Sequence, residues 1–202
     1  MARVHRVDWR ALGLGFLDEP ERGATPLAQQ LHFYDAYFAW GMDPARYPLV
    51  RRALRWLHAN QPGDEPVALC WGDSRLANQI FDAERCVAIL DWEMVRLGNP
   101  VDDLAWWIAL DRCFSEGIDV PRLPGLPGRS ATIERWQTLT GHDARDVAYY
   151  EVLGLCKFSL IIARIGLQMK HYGLLPEDHE MDVENFASKT LARALAGVGA
   201  RD

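Results

Sequence analysis

Lysine is almost absent from this chain. Of 22 basic residues only Lys157, Lys170 and Lys189 are lysines, and none lies among the 72 residues before Asp73. No G-x-x-x-x-G-K-[ST] phosphate loop is present. Cysteine is sparse and scattered: Cys70, Cys86, Cys113 and Cys156 form no C-x-x-C pair. That spacing is not metal-like, and the expectation is buried, reduced thiols in a cytoplasmic protein. Excess positive charge is lacking too. The formal net charge is -6, which gives no electrostatic reason for a nucleic-acid partner and mildly favours cationic or metal-chelated ligands. The most apolar stretch, Val147 to Met169, is interrupted by Glu151, Lys157 and Arg164. It reads as a buried helix, with Lys157 and Arg164 on one face, rather than as a membrane span. The opening MARVHRVDWRALGLGF has no sustained apolar core and does not read as a signal peptide. Gly13-Leu14-Gly15 has neither a preceding strand nor a third glycine, so it makes a poor dinucleotide loop.

What is present suffices for one sizeable core: 202 residues, 49% hydrophobic and 25% charged. A single domain over 1–202 is the expectation. Residues 1–26 read as an irregular lead-in, punctuated by Gly13, Gly15, Pro20, Gly23 and Pro26. Leu31, Tyr34 and Phe38 then recur at helical spacing from Leu27 until Gly41. A second helix is expected from Tyr47 to Ala59, and 60–66 is a loop by composition. Three short apolar runs follow, Val67–Cys70, Gln79–Phe81 and Val87–Leu90, and the last two read as a β-hairpin. Helical pattern resumes over Val101–Arg112. After a Pro- and Gly-rich loop, Asp119–Ser130, helices are expected over Ser130–Leu139, Ala144–Met169 and Glu180–Ala196. The fold class is α+β, mainly helical, with a small strand-and-hairpin insert at its centre.

That insert carries the chemistry. CWGDSRLAN places Asp73 and Asn78 in the D-x-x-x-x-N spacing of a phosphotransferase catalytic loop. A carboxylate near the attacking hydroxyl orients it and accepts its proton. Asn and Asp oxygens are suitable hard ligands for magnesium. The hairpin leaves Asn78 and returns, so Asp91 of AILDWE comes back beside it. Alone, Asp and Asn five apart are ordinary turn residues, and LDWE could be a strand end with a capped turn. The agreement of strand, G-D-x-x-x-x-N, hairpin and apolar-apolar-Asp over about twenty-five residues is what makes the pattern specific.

ALCWGDSRLANQIFD followed by VAILDWEMVRLGNPVDDLAWW resembles the C-terminal lobe of the aminoglycoside phosphotransferase/choline kinase-like family, relatives of protein kinases. The resemblance runs from roughly Val7 to Ala196. It implies Asp73 as catalytic base, Asn78 and Asp91 as magnesium ligands, and Asp103 as a buried brace for the catalytic loop. Trp71 stands where most members have His, and Asn99 where many have Asp. The WGD and LDWE versions are more similar to the branch associated with acyl-CoA dehydrogenases than to antibiotic-resistance enzymes. Arg75 sits where protein kinases often carry a phosphate-contacting lysine, with a structural ion pair as the alternative. Glu93 could approach the metal or cap the next turn. His32, His58 and His171 read as surface or packing residues, and Trp106-Trp107 as core.

The resemblance also implies ATP and Mg2+ as cofactors, and a nucleotide-clamping N-terminal lobe with a lysine paired to a helical Glu. The residues before Asp73 read as helices without lysine, so that lobe is expected to be absent. A truncated form, a shortened gene product and half of a split enzyme remain open. Two functional readings compete. One is the catalytic lobe of a small-molecule kinase that needs an N-terminal lobe, in cis or from a partner, for full activity. The other is a non-catalytic remnant serving binding or dimerisation; a metal-dependent hydrolase is a distant third. The acceptor pocket is expected on Leu104–Arg112 and Ala144–Met169, with Asp111, Tyr149, Tyr150 and Glu151. An alcohol or hydroxyacyl compound suits the branch resemblance at least as well as an aminoglycoside or choline-like cation.

Overall fold

The longest apolar run becomes the central helix of the protein. In a computed structural model describing residues 1–63 and 65–200, it forms helix α5, Val147–His171. Helices α1 (Pro26–Gly41), α2 (Pro48–Ala59), α3 (Val101–Cys113) and α6 (Phe186–Gly197) all contact it. Helix α4 (Arg129–Thr140) packs on α3. Leu57, Leu104, Leu153, Leu155, Leu160, Leu191 and Leu195 are fully enclosed between these helices. By length and composition alone α5 could cross a membrane, but 67% of its most apolar window is buried inside the protein. Helix starts follow local chemistry. The Thr25 side chain accepts from the Ala28 N–H at 3.1 Å, with Pro26 at the first helical position of α1; Pro48 takes that first position in α2, without a side-chain cap.

Two small antiparallel sheets accompany the helices. Strand β1 (Ala68–Cys70) pairs with β4 (Arg96–Gly98), matching Leu69 to Leu97. Strands β2 (Gln79–Asp82) and β3 (Arg85–Ile89) form the expected hairpin, with a register irregularity between Ile80 and Phe81. β4 is not legible in the sequence, because Arg-Leu-Gly is too short to display a period. A second, smaller core lies under β1 and β4, built from Val4, Leu69, Trp71 and Leu97. The expected irregular lead-in therefore has a definite place. It consists of turns and two single-turn 3-10 helices, Leu14–Leu17 and Pro20–Arg22, and it buries Val4 and His5. The loop expected over 60–66 includes Asp64, which lies outside the described residues.

Two expectations need correction. The last helix begins at Phe186, not at residue 180. The Asn185 side chain ends the preceding turn by accepting from the Ala187 and Ser188 N–H groups, both at 3.0 Å, while the Ser188 hydroxyl accepts from the Asn185 N–H at 3.0 Å. Residues 181–185 are held out of the helix by Asp182. Its carboxylate accepts from Arg46 Nε at 2.9 Å, Tyr47 Oη at 2.8 Å and Lys170 Nζ at 2.6 Å. Burial opposes its ionisation, but these donors outweigh burial and hold the carboxyl well below the usual range. The cysteines are all free, yet only Cys70, Cys113 and Cys156 are buried. Cys86 lies exposed on β3, because that hairpin turns much of its apolar surface outward.

A buried ion cluster ties α3 to three other elements. Asp102 accepts from Gln30 of α1 at 2.9 Å and from Lys157 of α5 at 3.0 Å, and it also pairs with Arg96 of β4. Burial alone would raise its pKa, but Arg96 and Lys157 bring it down to about 2. Its stabilising contribution is therefore complete above the unfolded value near 3.8 and is lost as pH falls through about 2. Asp102→Asn is expected to be less stable at neutral pH, yet to lose less melting temperature between about pH 4 and about pH 2. Thermal melts followed by circular dichroism check this, and parallel losses in both proteins would contradict it.

Candidate active site

The chain leaves β1 at Cys70 and enters a loop fixed from beneath by Asp103, at the start of α3. Asp103 Oδ2 accepts from the Trp71 N–H at 2.7 Å, and Oδ1 accepts from the Gly72 N–H at 2.8 Å. Its backbone carbonyl accepts from Ser74 Oγ at 2.6 Å. Gly72 has φ +92°, and a Cβ there would stand 2.1 Å from the Met94 carbonyl oxygen, so no other residue fits. Asp103 is fully buried. Burial disfavours its charge, but hydrogen bonds from His5 and Gly72 and the nearby Arg96 outweigh that and lower its pKa.

His5 is the third partner of Asp103, with Nε2 to Oδ2 at 2.9 Å. Its Nδ1 faces the indole N–H of Trp136 at 3.3 Å. Because Trp can only donate, Nδ1 is the acceptor and Nε2 carries the proton given to Asp103. His5 was not legible in the sequence. It lies 98 residues from Asp103 in a segment without periodicity, and only tertiary folding places it there.

Asp73 is buried, at 6% exposure. Its Oδ2 accepts from Asn78 Nδ2 at 2.7 Å and from Arg75 Nε at 2.8 Å, and its Oδ1 accepts from Trp106 Nε1 at 2.8 Å. The Asn78 amide also donates to the Asp73 carbonyl at 3.1 Å. Both of these contacts use the side-chain nitrogen, which leaves the side-chain oxygen Oδ1 of Asn78, unlike its backbone carbonyl, free of partners among the described residues. The single-turn helix Leu76–Asn78 leads into β2. At the other end of the hairpin the Leu90 N–H donates to the Asn78 carbonyl at 2.8 Å, and Trp71 Nε1 donates to the Leu90 carbonyl at 2.8 Å. Asp91 follows directly, in a left-handed conformation at φ 60°. Trp71 thus links the loop to the residue before Asp91, and its ring lies 6.4 Å from that of Trp92.

Asp91 and Glu93 are both exposed. Among the described residues, the Asp91 carboxylate has no hydrogen-bond or ion-pair partner. No group of three His, Cys, Asp or Glu side chains among the described residues could hold a metal by themselves. One free amide oxygen and one free carboxylate fit a hard cation that completes its shell with water and phosphate oxygens, as Mg2+ does. They do not fit a cage made wholly of protein ligands. Asn99 opens α3, where its Oδ1 accepts from the Val101 N–H at 3.0 Å and its amide donates to Glu65 at 2.9 Å.

Beside the loop lies a cavity of about 460 Å3, lined chiefly by Leu76, Trp107, Leu110, Phe114, Val120 and Leu126. Arg75 borders it, and Asp111 within it is paired with Arg122 Nε at 2.7 Å. This cavity uses only one of the two helices expected to carry the acceptor pocket. α3 contributes Trp107, Leu110 and Asp111, but the opposite wall is the loop after α3, and α5 lines none of it. Glu151 is engaged by Arg112 and Arg129, at 3.3 and 2.6 Å. Tyr149 Oη donates to the Leu57 carbonyl at 3.1 Å and Tyr150 Oη to Glu65. All three side chains are buried and already engaged by these partners. The paired tryptophans divide their work: Trp106 is buried against Asp73, and Trp107 lines the cavity.

Comparison with known proteins places this arrangement. The sequence pattern described as the phosphotransferase enzyme family matches residues 1–139. Acyl-CoA dehydrogenase family member 11 from Gallus gallus is 36% identical over 110 residues, covering 52% of this chain and 14% of that protein. The Mus musculus protein of the same name is 32% identical over 136 residues, covering 63% of this chain and 17% of its own length. Acyl-CoA dehydrogenase family member 10 from Mus musculus is 30% identical over 108 residues, covering 52% of this chain and 10% of its own length. The chain therefore spans less than a fifth of these curated relatives. A candidate aminoglycoside phosphotransferase from Ralstonia eutropha JMP134, solved by crystallography, superposes with a TM-score of 0.74 at 20% identity. That match covers all of this chain and 63% of the other, and at such identity it shows shared fold.

Proposed function

Because the chain belongs to the phosphotransferase enzyme family, we propose that it is the C-terminal, catalytic lobe of an ATP-dependent small-molecule kinase. The observation that carries this reading is the Asp73–Asn78 pair locked on Asp103, with Asp91 returned beside it by the hairpin. In the proposed reaction the acceptor hydroxyl gives its proton to Asp73 as its oxygen bonds to the γ-phosphorus of ATP. The bond from that phosphorus to the β–γ bridging oxygen breaks, and ADP leaves. Asn78 and Asp91 would hold Mg2+, which when bound neutralises charge on the transferring group. Arg75, anchored on Asp73 Oδ2 and bordering the cavity, would meet that charge from the loop side. Asp103 acts through the loop backbone and touches no reactant.

The cavity beside the loop supports an alcohol on an apolar chain as the acceptor. Its walls are mostly hydrocarbon, and its single acid, Asp111, is already neutralised by Arg122. A polycation would find no free carboxylate there. The lysine that clamps nucleotide phosphates in kinase-like folds has no counterpart before Asp73. The hairpin leaves Ile80, Phe81, Val87, Leu90 and Trp92 exposed. Both observations support completion of the nucleotide site by an N-terminal lobe, in cis or from a partner.

Calorimetry with Mg-ATP tests the metal site on this chain directly. Wild-type protein is expected to bind in a Mg2+-dependent manner, and Asp91→Ala to lose at least about tenfold in affinity, since a carboxylate ligand contributes a charge-assisted bond. Unchanged affinity in Asp91→Ala removes Asp91 from the site. Absence of binding to both proteins moves the whole nucleotide site to another lobe.

A further inference from the structure

The Asp73 carboxylate can be accounted for lone pair by lone pair. Two carboxylate oxygens offer about four acceptor positions. Oδ2 takes two donors, Asn78 Nδ2 at 2.7 Å and Arg75 Nε at 2.8 Å. Oδ1 takes one, Trp106 Nε1 at 2.8 Å. One acceptor position remains, on Oδ1. Behind the indole, Lys157 Nζ lies 5.0 Å from the ring centroid, held there by Asp102 at 3.0 Å. A cation over the π face draws electron density from the ring and strengthens the indole N–H as a donor. Phe158 packs edge-on against the same indole at 5.8 Å, so the ring has little freedom to tilt. Sequence offers no hint of this, since a buried Trp three residues after Asp103 reads as core.

We propose that Trp106, backed by Lys157, is a positioning residue for phosphoryl transfer: its indole N–H occupies one lone pair of Asp73 Oδ1 and leaves the other as the single carboxylate position open to the acceptor hydroxyl. The proposal rests on the phosphotransferase reading above for its catalytic consequence, but not for the bond itself. Trp106 touches no reactant. It fixes the rotation of the carboxylate, so that the acceptor proton meets one defined oxygen orbital.

Two measurements test this, one of them independent of turnover. In 15N-labelled full chain, the Trp106 indole cross-peak, assigned through bonds among the eight tryptophans, is expected downfield, as for a donor to a carboxylate. It should move upfield in Asp73→Ala, and by a smaller amount in Lys157→Met. A Trp106 peak that stays in place in Asp73→Ala overturns the proposal. The second measurement is steady-state kinetics of Trp106→Phe, which keeps the aromatic bulk and removes only the donor. kcat is expected to fall about tenfold, the worth of one charge-assisted hydrogen bond, with both KM values unchanged. Loss through KM alone, or an unchanged kcat, overturns the positioning role. If wild-type protein transfers no phosphate to any acceptor, the phosphotransferase reading fails, and the indole shift alone then decides whether Trp106 orients Asp73. If Trp106→Phe does not fold, the Asp73→Ala spectrum in the native background still decides.

Discussion

Asp73→Ala is expected to lower kcat for phosphoryl transfer by about 10²- to 10⁴-fold, the usual worth of a positioned general base. KM for ATP should barely change, because Asp73 is not a proposed metal ligand. The measurement is turnover of phosphorylated product, in whichever assembly supplies the nucleotide clamp, with a hydroxylated aliphatic acceptor and an aminoglycoside run in parallel. Turnover with the aliphatic acceptor alone matches the apolar cavity beside Arg75 and Leu76. Turnover with the aminoglycoside alone would exclude that cavity as the acceptor site. Full activity in Asp73→Ala would remove Asp73 from the role of base whatever the acceptor. The substitution also leaves Trp106 Nε1 without its partner. A melting temperature should accompany the rates, so that a folding defect is not read as a chemical one.

The largest effect on stability is expected from Asp103. Its carboxylate satisfies two backbone N–H groups and His5 in a site closed to solvent. Removing it strands three buried donors, each costing about 1–3 kcal/mol when unpaired. Asp103→Ala should therefore lose about 4 kcal/mol in urea unfolding, the range seen when one partner of a buried charged pair is deleted. Asp103→Asn keeps one acceptor oxygen and should lose about half as much. A loss under about 1 kcal/mol in the alanine variant would mean the loop does not depend on this carboxylate. The depressed pKa adds a pH signature. The contribution of Asp103 is complete above the unfolded carboxyl value and is lost as pH falls through its lower folded value, so the variant should resemble wild-type protein more closely in acid. Loss of loop geometry in Asp103→Ala should also release Asp73 and Asn78 from their mutual bond, and nucleotide binding reports that separately from stability.

How much of this was legible in the sequence depends on the range of the interactions involved. The helices of the core were visible because apolar spacing is local: Leu31, Tyr34 and Phe38 mark α1 without knowledge of what covers them. The hairpin was visible for the same reason. Missed features arise where the deciding partner is distant. β4 is recognised only by its pairing with Ala68–Cys70, and residues 181–185 stay out of α6 where Arg46 and Tyr47, more than 130 positions earlier, hold Asp182. The polar side chains of α5 suggested a pocket wall, yet α5 lines none of the cavity beside the loop. Glu151, Tyr149 and Tyr150 are instead consumed by arginines, a carbonyl and Glu65.

The sequence by itself determined which atoms are available for chemistry. Asp73, Asn78 and Asp91 are recognisable because a catalytic loop and a hairpin are short-range objects with characteristic spacing. Only the tertiary structure decided how those atoms are held. The Asp73 carboxylate is oriented by an indole 33 residues away, and the loop backbone is pinned by Asp103, itself bonded to a histidine 98 residues distant. Hydrogen bonds to buried carboxylates are satisfied by whichever donors packing brings within about 3 Å, and that is set by how helices and sheets pack against one another rather than by residue spacing.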